Sequence, residues 1–270
     1  MKLQANSPIG IFDSGIGGLT VAHRIHQHLP NEQIVYFGDT AHLPYGDKSE
    51  AAIQAYSIKI ADVLLKKGCK VIVIACNSAS SASYELLKEY VQHQVHIINV
   101  IDPMVEFVAH QLTGKKVGLI GTKRTVQSGI YTRKLKEISP TIELHSLATP
   151  LLAPMIEEGF YNSQISHEII AQYLADPSLA SIEALILACT HYPLIEKEIK
   201  EFYQTKVVVL DSSIIVAQAL KKYLSDNSLL SDSFNPSHHF LVSDYTESFE
   251  ASTQIFFGEK VKLEWHPLWN

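Results

Sequence analysis

Short apolar runs such as IGIF at 9–12, VIVIA at 71–75 and ALILA at 184–188 recur along the chain, bounded by Gly, Asp or Ser. They lack the polar alternation of a strand with one wet face, so they read as strands buried on both faces of a parallel sheet. Candidate strands are 9–12, 34–37, 71–75, 97–101, 117–120, 142–147, 184–188 and 207–210. Between them lie longer segments of helical period. Residues 49–67 place Ile53, Tyr56, Ile60 and Leu64 on one face, the pattern of a helix covering a sheet. Similar helices are expected over 17–28, 81–92, 166–174, 193–203 and 212–224. Strands alternating with helices define the α/β class, and 270 residues suffice for two domains or one large one.

An internal echo sharpens this. VIVIACNSAS (71–80) and ALILACTHYP (184–193) each join a buried strand to Ala-Cys and a small polar residue, at an offset of 113 (189 less 76). IGIFDSGIGG (9–18) and VGLIGTKRT (117–125) echo at 108 (117 less 9). Offsets this close predict two related α/β units, although two buried strands also resemble each other for generic reasons. The first unit is expected to comprise residues 1–99 plus 207–270 and the second 100–206. The strand at Val207 is assigned to the first unit because Asp211-Ser212 reads as a helix start after a sheet strand. Residues 238–268 are assigned there as well.

Composition narrows the function classes. Lys plus Arg total 22 against 28 Asp plus Glu, a net charge of −6 with no basic tract, which argues for a small-molecule partner over nucleic acid. No apolar run approaches the roughly 20 residues of a membrane span, and residues 1–8 carry no signal-peptide core, so a cytoplasmic protein without a membrane partner is expected. Three cysteines without a CxxC pair argue against a disulfide framework or zinc ribbon.

Cys76 and Cys189 both stand where a buried strand ends, the edge at which open α/β sheets bind ligands. Residues suited to a helix start follow each, an environment that favours thiolate over an ordinary thiol of pKa about 8.5. A buried cysteine is also a common small hydrophobe, but two in matching positions point to function. Cys69, within Lys-Gly-Cys-Lys, reads as structural.

Asp13 and Ser14 close the first strand. Gly15, Gly17 and Gly18 follow, but Thr20 breaks a dinucleotide fingerprint. Gly17 and Gly18 suit either a plain turn or a close backbone approach that leaves N–H groups for a substrate carboxylate or phosphate. Tyr45 with the Gly46 N–H is a further candidate carboxylate holder, in a segment that also reads as an ordinary Pro-Tyr-Gly turn. His191 is placed to orient Cys189 or exchange protons with it. The 13 histidines show no HExxH or equivalent ligand spacing, so neither metal nor cofactor is expected. A cleft with one thiol from each of two similar units suits stereoinversion at a carbon beside a carbonyl, which needs a base on one face and an acid on the other.

IGIFDSGIGGLTV, YFGDTAHLPYG, VIVIACNSAS, IDP, GLIGT, PMIEEG and LACTHYPL, spread from about Pro8 to Asp211, closely resemble the glutamate racemases, cofactor-independent amino-acid racemases. The resemblance implies two α/β domains related by a pseudo-two-fold axis, the second inserted into the first. It also implies L- and D-glutamate interconversion for peptidoglycan synthesis, and a homodimer. Carried over by position, Cys76 and Cys189 would be the acid/base thiols, supported by Asp13 on one side and by His191 with Glu157 on the other. Asp13, Ser14, Tyr45, Gly46, Asn77, Ser78, Thr190 and His191 would bind substrate. Two positions depart from the family pattern. Ser78 replaces a usual Thr and keeps the hydroxyl, and Thr149 replaces a frequent non-catalytic Cys. The nearest rival is an aspartate racemase of the same superfamily. A non-catalytic two-lobed binding protein would need no paired thiols, and a nucleotide-linked dehydrogenase would need the intact glycine fingerprint.

Overall fold

A computed structural model describes residues 4–269. Its first half is β1 (Ile9–Asp13), α1 (Leu19–His28), β2 (Ile34–Gly38), α2 (Glu50–Lys66), β3 (Val71–Ile74), α3 (Asn77–Val91) and β4 (His96–Asn99). The strands align in the order β2-β1-β3-β4, all parallel, with Phe12 opposite Phe37 and Ile74. β1, β2 and β3 are buried throughout, which explains their unbroken apolar character. The Ser49 hydroxyl accepts the Ala52 N–H to start α2, whose Ile53, Ile60 and Leu64 are buried.

The second half repeats this plan with α4 (Ile101–Gln111), β5 (Lys116–Gly121), α5 (Lys123–Gln127), α6 (Ile130–Ile138), β6 (Glu143–Ala148), α7 (Leu152–Glu157), α8 (Gln164–Leu174), β7 (Ala184–Ala188), α9 (Glu196–Phe202) and β8 (Val208–Asp211). Its parallel sheet runs β6-β5-β7-β8. β5 is therefore the counterpart of β1, and β7 of β3. The echo in the sequence is an echo in topology.

α10 (Ser212–Asp226) then packs against α1 and α4. β9 (His239–Val242) pairs with β2, and α11 (Glu247–Phe257) lies on α1. β10 (Leu263–Trp265) closes the edge of the first sheet, giving the order β10-β9-β2-β1-β3-β4. Among the described residues no helix is long and apolar enough to cross a membrane.

Two expectations are corrected. The strand at Val207 does not return to the first sheet: β8 pairs with β7, with Val208 opposite Ala184. A strand that follows a crossover helix packs beside the strand before it, as β4 does beside β3. The chain leaves the second sheet one element later, at α10, where Asp211 caps the helix by accepting the Ser213 N–H at 2.8 Å. The strand expected over 97–101 ends at Asn99, whose Oδ1 accepts the N–H groups of Ile101 and Asp102 at 2.8 Å and starts α4.

Candidate active site

Cys76 and Cys189 follow the carboxyl ends of the equivalent strands β3 and β7, and both are free thiols. They line one small cavity of about 30 Å³, room for about two waters. Ser14, Tyr45, Gly46, Asn77, Ser78, Glu157, Thr190 and His191 line it as well. Of the residues assigned above to acid/base work or substrate contact, Asp13 alone is not in the wall.

Asp13 is fully buried at the end of β1. Its Oδ2 accepts the N–H groups of Gly15 at 3.1 Å and Gly18 at 3.0 Å. The Gly18 N–H, a backbone donor expected to receive a substrate anion, thus receives the protein's own carboxylate. The glycines are there for space. A Cβ on Gly18 would stand 2.4 Å from the Asp13 Cβ, and one on Gly17 would stand 2.3 Å from the His191 ring. That second approach joins two residues from different halves of the chain.

The two sulfurs have unlike surroundings. Cys76 Sγ caps α3 by accepting the Ala79 N–H at 3.4 Å, and its thiol points to Ser14 Oγ at 3.7 Å. Burial, with the Asp13 charge adding to it, pushes this thiol up to about 12. The thiolate anticipated from the helix start alone is therefore not the resting form, because desolvation outweighs the single N–H. Burial also raises Asp13, against the opposing pull of His191 and the glycine N–H groups.

Cys189 is followed by a 3₁₀ turn, so an imidazole stands beside it in place of an α-helix start. His191 Nδ1 lies 3.5 Å from Cys189 Sγ, and Nε2 lies 2.8 Å from Glu157 Oε1. Burial works against a charged ring here. Hydrogen bonds to Cys189 and Glu157, with their charges, nevertheless hold His191 well above the ordinary imidazole range.

Hydrogen bonds cross between the halves around the cavity. Ser78 Oγ and Thr122 Oγ1 are 2.8 Å apart, the Tyr131 hydroxyl donates to Asn77 Oδ1 at 2.8 Å, and Thr20 Oγ1 donates to the Thr190 carbonyl at 2.9 Å. Ser78 thus uses the hydroxyl it shares with Thr. Thr149 bonds the Tyr192 hydroxyl at 2.7 Å, outside the cavity wall.

Pro44, Thr122, Ala153 and Ala188 also line the cavity and were not anticipated as site residues. Thr122 was within reach, since the offset of 108 that relates β1 to β5 places it opposite Ser14.

Matched parallel sheets that bring one thiol each to a shared cavity define a duplicated α/β fold with its candidate site between the halves. The chain belongs to the Asp/Glu/Hydantoin racemase family, whose model matches residues 10–220. It is 36% identical to the glutamate racemase of Chlorobaculum parvum over 96% of each chain. It is 37% identical to that of Geobacter metallireducens, over 94% of this chain and 93% of the relative. The crystal structure of the Francisella tularensis glutamate racemase in complex with D-glutamate matches with a TM-score of 0.92 and 37% identity, over 98% of both chains.

Proposed function

We infer that the protein is an isomerase that interconverts L- and D-glutamate by moving protons at the α-carbon between Cys76 and Cys189. The observation that carries this reading is the pair of free thiols at equivalent strand ends lining one cavity. The α-hydrogen of an amino acid is weakly acidic, so racemisation needs a base on one face and a donor on the other. Cys76, held as a thiol by burial and Asp13, is the resting donor. Cys189, hydrogen-bonded to His191, is the opposing base, and the Glu157–His191 pair takes up and returns its proton. The reverse reaction exchanges the two roles. Ser14, Tyr45, Gly46, Asn77, Ser78 and Thr190 surround the substrate, and Asp13 acts from behind the wall.

Nearly full-length relatives named glutamate racemase favour glutamate over aspartate. One methylene is worth about 1 to 3 kcal/mol in a pocket, so a preference of roughly 10- to 200-fold in kcat/KM is expected. The sequence resemblance extends the reading to a cytoplasmic homodimer whose D-glutamate supplies peptidoglycan synthesis.

The test is the circular-dichroism signal of L-glutamate incubated with purified protein and no added cofactor. Decay to zero is expected. A stable signal, or activity appearing only with added pyridoxal phosphate or metal, overturns the reading.

A further inference from the structure

Asp39 follows β2 and is fully buried, yet the proton transfer above does not use it. Its carboxylate gathers side chains from distant parts of the chain. The Tyr45 hydroxyl donates to Oδ2 at 2.6 Å, the Ser243 hydroxyl to Oδ1 at 2.7 Å and the Trp269 indole N–H to Oδ1 at 2.8 Å. His42 Nδ1 stands 3.1 Å from both oxygens. The His42 ring stacks on Tyr56 at 4.1 Å and meets the Trp269 edge at 4.5 Å, while the Lys59 ammonium lies 4.7 Å from the Trp269 ring.

A carboxylate so deeply desolvated is stable only while donors saturate it. Two of its donors, His42 and Tyr45, belong to the loop that immediately follows Asp39, so saturation fixes that loop's shape. Tyr45 is itself buried and forms cavity wall with Gly46 and Cys76. Its hydroxyl is already spent on Asp39, so Tyr45 shapes the cavity with its ring and backbone.

We propose that Asp39 and Trp269 form a clamp that positions the 40–48 loop against the substrate cavity, Asp39 acting through Tyr45 and Trp269 sealing the carboxylate from water. Both are positioning residues, and the proposal rests on the reading of this cavity as the glutamate site. Without the indole N–H, water reaches Asp39 and competes for Tyr45 and His42, so the loop loosens while both thiols stay in place. The consequence falls on substrate affinity more than on turnover.

The experiment uses full-length protein carrying Trp265→Phe, which removes a largely exposed indole and leaves Trp269 as the single tryptophan. Trp269→Phe and Asp39→Asn are made in parallel in the unaltered protein, with thermal melts to confirm folding. In both, KM for L-glutamate should rise fivefold or more with kcat within twofold of the parent, and tryptic cleavage at Lys48 should quicken at least fivefold. Trp269 emission in the Trp265→Phe protein should change on titration with L-glutamate, with a midpoint near KM. An unchanged KM in both variants, or kcat falling while KM holds, overturns the clamp. If the parent does not racemise glutamate, the proposed function fails and Lys48 cleavage alone decides: faster cleavage in both variants sustains the clamp, and unchanged cleavage removes it.

Discussion

Cys76 and Cys189 stand in matching sequence contexts, but Cys76 faces a buried carboxylate and Cys189 an imidazole bonded to Glu157. An inversion that begins with one thiol and one base needs this asymmetry, and neither partner can cover the face opposite its own. Cys76→Ala and Cys189→Ala should therefore each lower racemisation about a thousandfold or more, as measured by polarimetry. Cys69→Ala should retain most activity, because Cys69 packs beneath Gly10 of β1, away from the cavity. Its thiol should show in stability instead. Burial lifts Cys69 from 9.0 to about 12, so the folded state holds the proton more tightly than the unfolded chain. The resulting stabilisation is complete below pH 9 and lost as pH rises toward 12. Urea midpoints should fall between pH 8 and pH 10.5, and less so in Cys69→Ala. The paired cysteines were legible because each ends an apolar run. The resting state of Cys76 was not, since it depends first on how deeply the fold buries the thiol and only then on the Asp13 charge.

The glycine turn between β1 and α1 shows how an element serves the site. Its Asp-Ser-Gly-Ile-Gly-Gly sequence announces a tight turn, but the reason Gly17 cannot carry a side chain lies 174 positions later (191 less 17), at His191. A Cβ there would push the imidazole away from Cys189 and Glu157. Gly17→Ala should cut kcat about a hundredfold, while the melting temperature shifts by a few degrees at most; steady-state kinetics and calorimetry check the two halves. Strand interiors were readable for the same reason that they are buried. Their ends were less so. Asn99 stops β4 with a side chain that an apolar-run reading passes over, and β8 joined the second sheet because a crossover helix returns its strand to a neighbour, which outweighed the helix start visible at Asp211. α6 was not anticipated, having only Tyr131 and Leu135 buried.

At the scale of the molecule, two matched sheets meet around a cavity of about 30 Å³ lined from both halves. The bonds Thr20–Thr190, Ser78–Thr122 and Tyr131–Asn77 hold the two halves together around it. Thr20→Val keeps the shape and deletes one such bond, worth about 0.5 to 1.5 kcal/mol. KM for L-glutamate should rise roughly two- to tenfold with kcat little changed, as initial-rate measurements would show. The duplication was visible in the repeated strand-Ala-Cys motif, whereas these crossing bonds join residues that no local pattern links. The central claim, that separate thiols serve the two faces of one carbon, is tested most directly by running the reaction in D₂O and examining both enantiomers by proton NMR and mass at low conversion. With two bases, the D-glutamate formed from L-glutamate carries deuterium at Cα while the remaining L-glutamate keeps its hydrogen. Equal early labelling of both enantiomers would mean that a single group serves both faces, and would contradict the account.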